Sequence, residues 1–294
     1  MKVSSRTEYL QRIDVVVAKL SDSIANERAL PSIAELAQAA NLSEFHFMRI
    51  YRALVAEPLG ATIQRLRLAR AVHLLAVTDV PVTEVAARVG YETSQAFARA
   101  FRQLTGLTPS DVRERPNHHR STLNDALEPR TAAESMPPVV SVQVIELQPF
   151  RVAALRNVGD YVDLDQAYGR LFSWLAEREA LEMITALWGV PWHDRRDTPA
   201  GESVFDCCLA LSADVKSAAD ITVTELGGGR YITCKHLGSY SQLDAVHDSL
   251  LRDVLSRQEL CLREAPILHR FVNDPEHTPE ALLETVIHIP VAAP

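Results

Sequence analysis

Residues 33–109 carry one pattern twice, and that duplication constrains the fold more than any other feature of the chain. The first copy runs from Ile33-Ala34-Glu35-Leu36-Ala37 through Asn41-Leu42-Ser43 to Phe47, Ile50, Tyr51 and Pro58. The second runs from Val82-Thr83-Glu84-Val85-Ala86 through Gly90-Tyr91 to Phe97, Phe101 and Pro109. In each copy a short helical period is broken by a turn and followed by a second helical period, which is a helix-turn-helix. Two such motifs in one chain give two reading heads for duplex DNA, enough for an asymmetric site without a second subunit.

Local signals support this reading. Ser32 with Glu35 three residues on makes a capping box, and Ser43 is placed to cap the next helix. Asn41 and Gly90 hold the same turn position, which requires positive φ; glycine adopts it freely and asparagine tolerates it. The spacing predicts helices over 6–23 and 59–77. The second has nineteen residues, a strut of roughly 28 Å, so it could set two recognition helices in successive major grooves about 34 Å apart. Residues 116–138 are rich in Pro, Ser, Thr, Ala and charge and read as a linker. Residues 1–120 hold 16 Lys+Arg and 12 Asp+Glu, a balance of +4; the remainder hold 14 and 26, a balance of −12. A basic half joined to an acidic half fits a DNA-binding head with a separate module.

A second duplication follows the linker. Glu146-Leu147-x-x-x-Arg151 returns as Glu225-Leu226-x-x-x-Arg230, Gly159-x-Tyr161 as Gly238-x-Tyr240, and Leu164 as Leu243, each pair 79 residues apart. Strand-like runs at 139–145, 152–155, 204–211, 221–224, 231–236 and 285–290 alternate with helical stretches at 165–178 and 243–258. Two similar halves of this kind imply an α+β domain with pseudo-twofold symmetry, and the junction of such halves is where a ligand is expected. The four cysteines, at 207, 208, 234 and 261, include no C-x-x-C pair, so buried thiols in a reducing cytosol are expected rather than a zinc site or disulfides. No apolar run is long enough to span a bilayer, and the charged first residues do not read as a secretory signal.

Residues 1–115 resemble the DNA-binding domain of the AraC/XylS family. The resemblance rests on Phe47-x-Arg49 with Tyr51, Leu66-Arg67-Leu68-x-Arg70-Ala71, Val85-Ala86-x-x-x-Gly90-Tyr91, Phe97-x-Arg99-x-Phe101-Arg102 and Gly106-x-Thr108-Pro109. Before Pro58 the first copy is one residue short and lacks the usual glycine. Residues 139–294 resemble the GyrI-like effector-binding domain, through Gly159-Asp160-Tyr161, Leu171-Phe172-Ser173-Trp174-Leu175, Val204-Phe205-Asp206-Cys207, Gly238-Ser239-Tyr240 and Ile287-His288-Ile289-Pro290-Val291. The expectation is a multidomain chain: an all-α double helix-turn-helix domain (1–115), a linker (116–138) and an α+β GyrI-like domain with an internal repeat (139–294). As a function it implies a cytoplasmic transcriptional regulator, not an enzyme. Its partners would be double-stranded DNA, a small-molecule effector and RNA polymerase, with no cofactor, metal or membrane.

Candidate site residues follow. Arg49 suits guanine and Gln95 adenine. By family position Phe45, Met48, Ser94 and Arg99 join them at base edges, Phe45 being equally readable as core. Arg52, like Glu44 a further polar position of the first recognition helix, is also expected at the DNA. Arg65, Arg67, Arg70 and Arg102 are placed for phosphates, and Arg67 with Arg70 reads equally as a structural face. For the ligand, Tyr161, Trp188, Trp192, Phe205 and Tyr240 offer aromatic surface, with Glu284 and Asp206 as carboxylates, suiting an apolar or cationic aromatic compound and multidrug sensing. The resemblance places a pocket glutamate four residues before the closing proline, where this chain has Val286; Glu284 lies on the same face of a regular strand. Two other classes stay open: a small-molecule hydrolase, for which the nearby Tyr and Glu could do acid–base work, and a protein-interaction module contacting a toxin or polymerase; His193 beside Asp194 mimics an acid–base pair but reads as a solvated loop.

Overall fold

The computed structural model describes residues 6–115, 118–128, 142–159, 164–194, 196, 198, 201–218, 220–256 and 260–292, which fall into two compact units. One unit, Leu10–Glu134, is helical: it takes α1 (Arg6–Ala25) from Leu10 on, then α2 (Ile33–Ala39), α3 (Glu44–Val55), α4 (Leu59–Val77), α5 (Val82–Arg88), α6 (Ser94–Thr105), α7 (Pro109–Glu114) and α8 (Arg120–Leu127). The expected capping box closes on both sides, with Ser32 Oγ accepting from the Glu35 amide and Glu35 accepting from the Ser32 amide. Ser43 caps α3 and Thr93 caps α6. A second capping box, Thr108 with Asp111, starts α7. Asn41 and Gly90 both sit at positive φ, 52° and 82°. The strut α4 runs from Leu59 to Val77, as its spacing predicts.

The second motif is built on one apolar cluster. Leu68, Ala71, Leu74 and Leu75 of α4 meet Val85 and Ala86 of α5, Phe97 and Phe101 of α6, and Val112 of α7, all buried. Leu123 of α8 joins them, and Arg65 donates to the Leu127 carbonyl at 3.4 Å. Residues 120–127, expected to be linker, are therefore a helix: Leu123 buries its side chain with the motif, which compositional reading of a polar stretch cannot see. The first motif is pinned to α4 by a buried polar chain. Tyr51 donates to Thr62 Oγ1 at 2.6 Å, Thr62 donates to Glu57 Oε1 at 2.6 Å, and Arg65 donates to the same oxygen at 2.7 Å. Burial pushes the Tyr51 hydroxyl up to about 12, so it stays a donor.

The second unit is a nine-stranded antiparallel sheet. Its strands are β1 (Val142–Leu147), β2 (Phe150–Val158), β3 (Ile184–Pro191), β4 (Val204–Leu211), β5 (Ile221–Leu226), β6 (Gly229–Leu237), β7 (Cys261–Leu262), β8 (Leu268–Phe271) and β9 (Glu284–Ala292), with helices α9 (Leu164–Ala176) and α10 (Leu243–Ser256). The order is β1-β6-β9-β8-β3-β4-β2-β5, and β7 pairs β9. Strands offset by 79 residues (221 − 142, 229 − 150) hold matching places counted from the two edges, and the helices α9 and α10 start at the same offset (243 − 164). The recurring Glu and Arg positions lie directly opposite each other: Glu146 faces Arg230 and Arg151 faces Glu225. Gly227 (φ 82°) lies where the β5–β6 connection passes the β1–β2 connection; a Cβ there would stand 2.9 Å from the Gln148 carbonyl oxygen. Strands β3 and β8 are additions to the sequence reading. The first is buried continuously from Trp188 to Pro191 and shows no alternation, and the second has only four residues.

The residue closing α3 is Ala56, at φ 62°, where the second motif has Gly106 at 75°. An alanine held in the left-handed region costs about 1 kcal/mol relative to glycine. Ala56→Gly is expected to raise the unfolding free energy of the helical unit by about that much, read as a higher denaturant midpoint in the 222 nm helix signal. An unchanged or lower midpoint counts against strain at this turn.

Candidate nucleic-acid and ligand sites

The two recognition helices differ in what they present. On α6, Gln95, Ala96, Arg99, Arg102 and Gln103 are exposed and Ser94 is half-buried. Phe97 and Phe101 anchor the opposite side. Gln95, Arg99 and Arg102 are spaced to share one face of the helix. On α3, Phe45, Met48 and Arg49 are half-buried, and the Arg49 guanidinium lies 3.8 Å above the Phe45 ring. Arg52, expected at the DNA, is a correction: it is 8 % exposed and counts among the buried residues of α3. His46, also buried, is held down to about 4 by desolvation and by the Arg49 charge.

The strut arginines brace the helical unit from within. Arg67 packs on the turn of the second motif: a Cβ at Gly90 would meet its Nη2 at 3.0 Å, and its guanidinium is 5.9 Å from the Tyr91 ring centre. Arg70 donates to the Ala25 carbonyl at the end of α1 (3.4 Å), an orphan acceptor of that helix. Arg65 belongs to the Glu57 chain described above. Among the described residues Arg67 and Arg70 thus make stacking and capping contacts rather than the salt-bridge face that their spacing also suggests.

In the sheet unit, side-chain alternation sorts the candidate ligand residues onto two faces. On the face carrying α9, Phe205 packs with Ala153, Leu155, Leu171, Leu175, Cys207 and Leu209, and with Phe271. Tyr240 stands edge-on to Phe271 at 5.3 Å. On the other face Trp188, Val190, Cys208, Tyr231 and Leu268 are buried together, with Phe150 and Trp192 against them. Glu284 takes this second face with His288, four residues along β9, whose ring is 5.0 Å from Trp188. The candidates therefore form no single cluster, because successive residues of a strand point to opposite sides. Tyr161 lies outside the described residues. Tyr168 bridges the two sides, its hydroxyl donating to the Trp188 carbonyl at 2.6 Å.

On the second face rings from strands two places apart meet: Trp188 reaches Phe150 at 4.7 Å across β4, and His288 at 5.0 Å across β8. The expected carboxylates are already engaged. Asp206 accepts from Arg156 Nε (2.8 Å) and Nη2 (2.9 Å) and from the Trp192 indole (2.6 Å). Glu284, only 22 % exposed, pairs with Lys235 at 2.7 Å, so its charge is offset before any cation arrives. Sequence reading missed Phe150, Tyr231, His288, Arg156, Arg263 and Arg270; their shared face depends on a pairing order that no local pattern encodes. His193 is exposed and bonds the Glu202 carbonyl, and Asp194 takes Arg196. The four cysteines are buried free thiols, and burial pushes Cys207 up to about 12, which removes its reactivity. Among the described residues no helix is long and apolar enough to cross a membrane.

Comparison with known proteins assigns the class. Residues 141–292 match the family described as "GyrI-like small molecule binding domain", and residues 36–115 match a "Helix-turn-helix domain". The chain belongs to the AraC-type helix-turn-helix regulators that carry a GyrI-like domain, and is a DNA-binding transcriptional regulator. Among its relatives, "HTH-type transcriptional activator AarP" of Providencia stuartii is 31 % identical over 101 residues, 34 % of this chain and 73 % of the relative. "Probable transcriptional regulator YgiV" of Escherichia coli O157:H7 is 30 % identical over 155 residues, 52 % and 97 %. "Regulatory protein SoxS" of Escherichia coli (strain K12) is 33 % identical over 84 residues, 29 % and 78 %.

Burial holds His288 down from 6.5 to about 4. The folded state therefore resists a proton that the unfolded state accepts, so the group contributes full stability above pH 6.5 and loses it as pH falls to about 4. A shift of this size corresponds to about 3 kcal/mol. The three tryptophans, 174, 188 and 192, all lie in the sheet unit and report its unfolding. His288→Gln is expected to flatten the fall of the fluorescence-detected denaturant midpoint between pH 6.5 and 4; an unaltered slope would show that His288 titrates normally.

Proposed function

We propose that the protein recognises an asymmetric duplex site chiefly through α6, with α3 as the second head, and responds to a small aromatic molecule held on the Trp188 face of the sheet unit. The observation carrying the DNA assignment is the exposed row Gln95, Arg99 and Arg102 on a helix whose other side is locked by Phe97 and Phe101. A guanidinium and an amide one turn apart can read guanine and adenine edges in the major groove. On α3, Arg49 must leave the Phe45 ring before it can reach a base, so its contribution is reduced by the stacking it gives up. The ring floor of Trp188, Phe150 and His288 supports the ligand assignment, since flat aromatic molecules stack favourably on such surfaces.

Fluorescence anisotropy with labelled duplexes of the upstream region tests the DNA reading. Affinity of the full chain is expected to fall steeply with salt, because cationic contacts release counterions from the phosphates. Arg99→Ala is expected to weaken the cognate site by about 1–3 kcal/mol and to relax base preference at one position. Arg49→Ala should cost less. Salt-independent binding, or a larger loss at Arg49 than at Arg99, would overturn the assignment of α6 as principal reader.

A further inference from the structure

The charges on the Trp188 face point to the chemistry of its ligand. By strand alternation, the charged residues that β1–β9 place on this face are Arg156, Asp206, Lys235, Glu284 and Arg270. Arg156 neutralises Asp206 and Lys235 neutralises Glu284. That leaves Arg270, which is exposed and forms no hydrogen bond or ion pair among the described residues. Its place is central: in register it stands directly opposite Trp188 on one side and Val286 on the other. A second cation reaches the same face from the connection between β7 and β8. Arg263 lies 5.0 Å over the Tyr231 ring. Its Nε and Nη2, like the Tyr231 hydroxyl, are buried without a hydrogen-bond partner among the described residues. His288, between Tyr231 and Trp188, is uncharged at neutral pH because burial and the nearby Arg270 charge both disfavour its protonation.

We infer that this face selects an aromatic acid, a flat ring system bearing a carboxylate or similar anionic group, with Arg270 as the residue that decides the sign of the charge. The inference rests on the proposed ligand site and specifies it. Where the resemblance leads one to expect a carboxylate, the chain has Val286, and the residue hydrogen-bonded beside it is an arginine. A cation brought to this face would meet offset carboxylates and an unpaired guanidinium. An anion would satisfy Arg270 by a charge-assisted bond, and buried donors at Arg263 and Tyr231 gain from an acceptor that they otherwise lack. The rings supply stacking surface that either charge could use, so the discrimination falls to the arginines.

Three probes of equal shape separate the terms: 2-naphthoate, 2-naphthalenemethanol and 2-naphthylmethylammonium, titrated calorimetrically into the full chain. The expected order is acid tightest and ammonium weakest. Arg270→Gln should lower the affinity for 2-naphthoate about tenfold, the size of one charge-assisted hydrogen bond, and leave the neutral alcohol within about twofold. Arg270→Lys should retain most of the acid preference. Because Arg270 is exposed, both variants keep the fold, which unchanged binding of the alcohol verifies. If the ammonium binds best, or the acid binds no better than the alcohol, or Arg270→Gln leaves the acid unaffected, the charge inference is overturned while the aromatic site stands. If none of the three binds, the aromatic site itself is overturned, and the inference with it.

Discussion

A β-strand can offer successive residues only to opposite faces, and the organisation of the sheet unit depends on this rule. It separates Phe205 from Trp188, although both are aromatic residues of one domain. It gives α9 an apolar bed and leaves the other face to rings and charges. Moving β9 by one residue would exchange Ile287 for His288 and bury the wrong set. The long ladders of β9 with β6 and of β4 with β2 and β3 hold that register.

The helical unit is organised differently, around turns. Gly90 lacks a side chain where Arg67 of the strut comes to rest, so the glycine meets two needs at once: positive φ and the close approach of a guanidinium. The strut thereby touches the turn that aims α6, while Tyr51, Thr62, Glu57 and Arg65 fix the strut to α3. The two reading helices are thus both referred to α4, which is the condition for reading two grooves at a fixed spacing. The rigidity comes from buried polar bonds, which are costly to leave unmade.

Much of the helical unit was legible in the sequence because its signals are local. Ser32 with Glu35, Ser43, Asn41 and Gly90 each specify a cap or turn within a few residues, and α4 keeps its predicted ends. Helix α8 was not legible, since a single apolar residue, Leu123, docks it. In the sheet unit β5 and β6 could be read from alternation and from the 79-residue recurrence, but β3 and β8 could not. The site was less legible than the fold. That Arg270 sits between Trp188 and Val286 follows from the pairing of strands far apart in sequence, and that Arg52 is buried follows from tertiary placement. That Glu284 shares the face of Val286 follows from strand alternation, but its pairing with Lys235 needed the β6–β9 register to be seen.

The crossed connections at Gln148 and Gly227 bear on how the chain reaches this structure. Strands β1 and β2 are separated by two residues, as are β5 and β6, yet neither pair forms a hairpin; β1 pairs with β6, and β2 with β5. Each half completes its sheet with a strand from the other. Neither half has a closed set of backbone bonds alone, so a chain stopped between them during synthesis holds unpaired strand edges. The nearest partners of these ladders are 66 residues apart in β2–β5 (221 − 155) and 82 in β1–β6 (229 − 147), and closing loops of that length makes the sheet unit the slower to form. The helical unit, with contacts mostly between neighbours in sequence, can be complete before it, so DNA-binding competence can precede completion of the sheet unit as the chain is made.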